Sequence, residues 1–438
     1  MAQSSIPRDD DLSSSSTDVD ETCASDIRAP GTQFPRDPDA LPEGGYGWVC
    51  VACSFLINAH TWGINSAYGV ILAFYLSDHT FPNTTALDYA FVGGLSIACA
   101  MLVSPLATYL VHHYGVRVTV ITGTVLEATS LITTSFVQRN WQLFLSQGIC
   151  FGVGMGFCFI GSVGVSSHWF AKRRSLVNGI SAAGSGIGGL MYSLATGAMI
   201  PHLGFPWAMR ILGIICLGVN LCCGCLLRLP PKAAPPPKGG AMRFSVVRNM
   251  QYAILLLWGI LSVIGYVVLL FSLSSYSVAI GLTQHQGSIV GALLNLGQAF
   301  GRPAVGMLSD KLGRINVAFG ATALSGLISF VFWTFAKSMV AICFFAIMVG
   351  MVAGTIWGTA APLSAEVVGL GNMSSALGFF WLALGPPCAV AEAIAVQLRD
   401  DVTDRYPYLR VQMLVGAMYA SAALCLALLK GVHFTSWK

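Results

Sequence analysis

Charge is what this 438-residue sequence has least of. Only 10 % of its residues are Asp, Glu, Lys or Arg, while 55 % are hydrophobic. A soluble domain carries about 25 % charged residues to keep its surface wet, so an ordinary cytosolic enzyme of this size is excluded. The N-terminus also lacks the basic-then-apolar pattern of a cleaved signal peptide. Residues 1–43 are instead rich in Ser and Asp, with Pro30, Pro35, Pro38 and Pro42. Metal-ligand spacing is missing too. The sequence has 13 cysteines, and all except Cys23 fall in apolar runs. Cys222-Cys223-Gly224-Cys225 has no His or carboxylate near it and reads as packing. No strand–turn–helix nucleophile is present. Neither a metal nor a cofactor is expected, and the chain does not read as an enzyme.

The net charge of +4 hides two opposed regions. Residues 1–43 hold ten acids and three basic residues, and the remainder holds nine acids and twenty basic residues. The basic excess sits in short loops between apolar runs. That is the pattern of loops retained on the cytoplasmic side of a membrane, not of a nucleic-acid surface.

What is present is a series of apolar runs, each long enough to cross a bilayer of about 30 Å. Twelve are counted, near 47–76, 88–111, 116–137, 141–167, 175–200 and 206–228, then 249–274, 286–308, 315–336, 338–365, 373–398 and 409–430. Backbone groups in lipid must pair within their own segment, so these are predicted helices. The predicted organisation is a disordered acidic tail (1–43), a six-helix bundle (44–229), a Pro-rich basic linker (230–247) and a second six-helix bundle (248–438). Two equal halves around a basic linker suggest an internal duplication and a two-bundle carrier. An even helix count puts both termini on one side. The loops on that side hold thirteen Lys and Arg against six opposite, so both termini are expected to be cytoplasmic. This places the sequon Asn83-Thr84-Thr85 outside, as a glycosylation site.

Residues 301–314, GRPAVGMLSDKLGR, join helices 8 and 9. Asp310, Lys311 and Arg314 could latch neighbouring helices in one state and release them in another, or simply anchor the loop by charge. The first half has SPLATYLVHHYGVR at the equivalent place and lacks the Asp. The pattern resembles the loop signature of the major facilitator superfamily. Glu43-Gly44-Gly45-Tyr46-Gly47-Trp48, and Trp169-Phe170-Ala171-Lys172-Arg173-Arg174 leading to Asn178-Gly179, look like paired signatures of the monocarboxylate transporter family. Gly371-Asn372-Met373-Ser374 and Gly385-Pro386-Pro387 are similar to that family as well. The Asn-rich helix 1, Asn58 to Asn65, is closest to fungal-type members. The resemblance implies an all-α membrane protein of twelve helices in the major facilitator fold, with Lys172, Arg173 and Arg174 among the gating residues.

Three ionisable residues fall inside predicted spans: Glu127, Arg302 and Glu392. Each costs about 2.5–3.5 kcal/mol at a helix centre, so each needs a partner or a wet cavity. Arg302 offers a permanent charge and a planar fork that matches a carboxylate. It is expected to contact an anionic or polar substrate near the midplane, the alternative being a pairing that holds the bundle. The resemblance supports this in part, because family members carry an Arg-Pro in helix 8. Many also carry a proton-coupled acid four residues earlier, where this chain has Gln298. A helix 1 lysine of lactate carriers is Ser66 here. His60, Glu127 and Glu392 are the candidates for coupling a proton. Asn65, Asn295, Gln298, Trp357 and Trp381 complete the expected substrate-binding set.

The expected function is secondary active transport of a small organic solute, a monocarboxylate or related anion, by alternating access. Efflux of a secondary metabolite is an alternative. A non-transporting nutrient sensor on the same scaffold is the alternative from another class. Expected partners are the substrate, a proton and the bilayer; no nucleic acid is expected, and an ancillary membrane subunit is left open. The plasma membrane is the expected location.

Overall fold

The computed structural model describes residues 44–78, 85–230, 244–398 and 408–435. Among these residues the chain is helical and forms twelve rods. They are α1 (47–78), α2 (86–114), α3 (116–134), α4 (140–169), α5 (Arg174–Leu203) and α6 (Phe205–Leu226), then α7 (Met250–Ala279), α8 (Gln284–Leu312), α9 (314–333), α10 (339–368), α11 (Met373–Leu398) and α12 (Leu409–Thr435). Most of the linker and the N-terminal tail lie outside the described residues, as do Asn83 and the side chain of Glu392.

Length and apolarity alone mark nine membrane-crossing helices among the described residues, plus a shorter apolar stretch at Phe91–Leu102 in α2. The rods absent from that set are α5 and α8. Their sequences explain it: glycine and polar side chains line them because they pack on each other and on the interior. Gly179 lies against the backbone of Arg302, Gly186 against Asn295 and Ala299, and Gly306 against Ser175; a Cβ at any of the three would collide with those atoms. Small residues let membrane helices approach to backbone contact. The same device joins α1 to α5, where Gly184 meets Phe55 and Gly188 meets Ala59.

The two halves repeat local features. α2 and α8 each open on a threonine capping box, Thr85 with Asp88 and Thr283 with Gln286. The loops that follow them turn at Gly115 (φ 85°) and Gly313 (φ 92°), a left-handed conformation that favours glycine. A basic residue comes next or next but one in each, Arg314 and Arg117. Pro386-Pro387 lies inside α11, which continues to Leu398.

The halves meet along α5 against α8 and along α2 against α11, where Ser104 Oγ donates to the carbonyl of Gly378 at 2.7 Å. We call the end that carries the 171–174 and 313–314 loops the basic end. The α5–α8 contacts run from this end (Ser175 with Gly306) to the middle (Gly189 with Asn295). The bundle is therefore shut at its basic end.

Candidate functional site

At the basic end the two signature stretches prove to be one structural unit. Tyr46 packs on Trp169 (ring centroids 6.0 Å) and Trp48 meets Phe170 edge-on (5.1 Å). Gly47 fits between them, and a Cβ there would press on both Trp169 and Phe170. The Tyr46 hydroxyl donates to the Leu226 carbonyl at 2.7 Å, and the Trp169 indole donates to the Arg228 carbonyl at 2.9 Å. The Arg228 guanidinium lies 3.5 Å over the Tyr46 ring. α1, α4 and the end of α6 are thus tied together where the linker begins. Arg174 is buried and donates through Nε to the carbonyls of Ser167 and Phe170, while Lys172 and Arg173 are exposed.

Asp310 reaches across the halves. Its two carboxylate oxygens accept from the backbone N–H groups of Ser175 (3.0 Å) and Leu176 (2.8 Å) in the first turn of α5. Helix α5 has no side-chain cap of its own. Asp310 therefore satisfies two N–H groups that the helix leaves unpaired and sets a negative charge on the positive end of its dipole. Arg314 turns away from Asp310 and faces Glu366 of α10 at 3.9 Å, within one half.

A small cavity of about 40 Å³ lies between the halves. Its polar wall includes Asn58 and Asn65 of α1, Asn178, Ser181 and Ser185 of α5, and Arg302 of α8. Its aromatic wall includes Trp62, Phe159, Tyr266 and Trp357. Arg302 is 5 % exposed. Its Nη1 donates to the Ala182 carbonyl at 2.6 Å and to Ser185 Oγ; its Nη2 donates to Gln298 Oε1 and reaches Tyr266 Oη at 3.5 Å. All of these partners are neutral. Among the described residues no carboxylate lies within salt-bridge distance of Arg302. Among the described residues, the cavity wall thus solvates this cation without cancelling its charge.

The other expected residues fall as follows. Asn65 lines the cavity and donates to Ser96 Oγ at 2.8 Å; Trp357 lines it as well. Gln298 stands behind Arg302 and accepts from Tyr266 Oη at 2.8 Å. Asn295 sits at the α5 contact beside Gly189, and Trp381 is fully buried behind Trp357, stacked on it at 5.6 Å. His60 bonds the Leu56 carbonyl through Nδ1 at 2.8 Å and meets Tyr192 edge-on, away from the cavity wall. Glu127 is fully buried inside the first half, with Asn220 donating to it at 3.4 Å. Sequence reasoning did not place Trp62, Phe159, Asn178, Ser181, Ser185 or Tyr266 on a cavity wall; for Asn178 the available signal was its place in the stretch that begins at Trp169.

Two six-helix halves thus meet around an internal cavity that carries Arg302. The chain belongs to the Major Facilitator Superfamily, whose family model matches residues 48–392. It is a multi-pass membrane transporter and not an enzyme. It is 34 % identical over 397 residues to "Probable transporter MCH2" of Saccharomyces cerevisiae, covering 89 % of this chain and 84 % of that protein. It is 28 % identical to the "Agnestins efflux protein AgnL12" of Paecilomyces divaricatus, covering 93 % and 91 %. The crystal structure of the human organic anion transporter MFSD10 (TETRAN) shares the fold, with a TM-score of 0.65 at 14 % identity, over 88 % of this chain and all of that one.

Proposed function

We propose that this protein is a secondary transporter of small organic anions and that Arg302 is the anion contact. One observation carries the reading: a buried guanidinium on the cavity wall, held only by neutral groups among the described residues. A charge costs several kcal/mol to keep in that setting, and a carboxylate entering beside it supplies the missing countercharge. The contact from Arg302 to Ala182 and Ser185 crosses from α8 to α5. An anion that competes for Arg302 therefore loosens the closed basic end, which couples binding to the rocking of the halves.

The basic end is the cytoplasmic one in this proposal, with both termini inside and the plasma membrane as the location. His60 and Glu127 are not among the residues that line the cavity. Outward transport of a metabolite is the second reading, favoured by the likeness to a fungal efflux protein.

The test is flux of a panel of organic acids into proteoliposomes, with and without a pH gradient. Saturable uptake of carboxylates, abolished in Arg302→Ala at near-normal expression, is expected. Full transport by that variant ends the role given to Arg302. Stimulation by an inward proton gradient identifies symport, and binding without flux identifies a sensor.

A further inference from the structure

We infer that the cargo is an aromatic acid whose ring carries a further oxygen acceptor, such as a hydroxy- or oxo-substituted aromatic carboxylate. The inference rests on the anion reading of Arg302 and adds the body of the molecule to it. The wall beside Arg302 is built from rings of both halves. Trp62 meets Trp357 at 5.0 Å and Phe159 at 5.4 Å; Tyr266 meets Trp357 at 5.8 Å; Trp381 backs both Trp357 (5.6 Å, 7°) and Phe159 (5.0 Å). Trp357 is thus held rigidly by a parallel ring behind it. Packed rings favour a flat π-system by stacking or edge contacts beyond what area burial alone provides.

The second observation is polar. The indole Nε1 of Trp62 is shielded from solvent and has no hydrogen-bond partner, whereas that of Trp357 lies beside the Tyr266 hydroxyl. A buried donor without a partner is costly, and Trp62 lines the cavity. A ligand held only by its carboxylate at Arg302 leaves it unpaired. An oxygen on the ring, away from the acid, pairs it. Because Trp62 belongs to the first half and Trp357 to the second, a ring seated against both reports on the state in which the halves are closed.

The test uses the full chain in proteoliposomes preloaded with 4-hydroxybenzoate, exchanging labelled 4-hydroxybenzoate against unlabelled competitors. The competitors are benzoate, 4-hydroxycyclohexanecarboxylate and 4-hydroxybenzamide. 4-Hydroxybenzoate is expected to compete about tenfold better than the saturated ring acid and several-fold better than benzoate. Trp62→Leu brings the aromatic-to-saturated ratio to within about threefold. Trp62→Phe retains that ratio but removes the gain from the hydroxyl. Equal competition by the saturated acid, an unchanged ratio in Trp62→Leu, or no exchange of 4-hydroxybenzoate by protein that elutes as a single folded species each overturns the inference. If the neutral amide competes as well as the acid while the ring preference persists, the anion role of Arg302 fails and the aromatic inference stands.

Discussion

Replacing Asp310 with alanine removes the one carboxylate that stitches α8 to the start of α5. Two backbone N–H donors, Ser175 and Leu176, lose a charged acceptor at 3.0 and 2.8 Å. A hydrogen bond to a charged group contributes about 1.5–3 kcal/mol, and a carboxylate at a helix N-terminus about 0.3–2 kcal/mol. These describe overlapping parts of the same contact and do not add. Asp310 is also half-buried and regains water when the basic end opens, so a net bias of about 2 kcal/mol is a fair magnitude. That is roughly a thirtyfold change in the balance between closed and open states. Amide hydrogen exchange of the protein in nanodiscs reads it directly. In Asp310→Ala, peptides over 174–186 should exchange about thirtyfold faster, with α3 unchanged. The cap and the latch separate in this assay. If only the first-turn amides accelerate and 177–186 stays protected, Asp310 is a local cap, and the argument that it holds the halves together is refuted.

Gly184→Ala drives a methyl group into the backbone of Phe55 on α1 and should cost about 3 kcal/mol or abolish the folded yield, whereas Gly320→Ala meets nothing within 4 Å and should leave thermal stability unchanged. Tyr46→Phe keeps the ring over Trp169 and under Arg228 but loses the 2.7 Å bond to Leu226; a loss of about 1 kcal/mol in denaturant unfolding is expected. Arg314→Gln breaks the 3.9 Å pair with Glu366, whose side chains are 20 % and 28 % exposed, and should cost less than about 1 kcal/mol, with the effect vanishing at high salt.

The architecture was legible because it follows from one constraint. Lipid forces every backbone group to pair inside its own segment, so twelve apolar runs and a proline-rich break fix twelve helices in two sets. Contacts between segments were not legible. Tyr46 and Trp48 read as part of one signature stretch, yet nothing in that stretch says that they dock on Trp169 and Phe170, more than 120 positions away in sequence. Arg302 stood out because a charge in an apolar run is costly wherever it points. Ser181 and Ser185 did not stand out, because each is an ordinary small polar residue until α8 lies against it, and Asn178 stood out only as part of a signature stretch. The same limit separates Trp357, which lines the cavity, from Trp381 directly behind it. Both are tryptophans in apolar runs, and only the rotation of α10 and α11 distinguishes them.

The most direct test of the central claim is trans-stimulated exchange of a labelled carboxylate through Arg302→Gln, reconstituted at the same density as the unaltered protein. The account predicts saturable exchange in the unaltered protein and none above empty liposomes in the variant. Equal exchange through both, with the variant folded and correctly inserted, would contradict it.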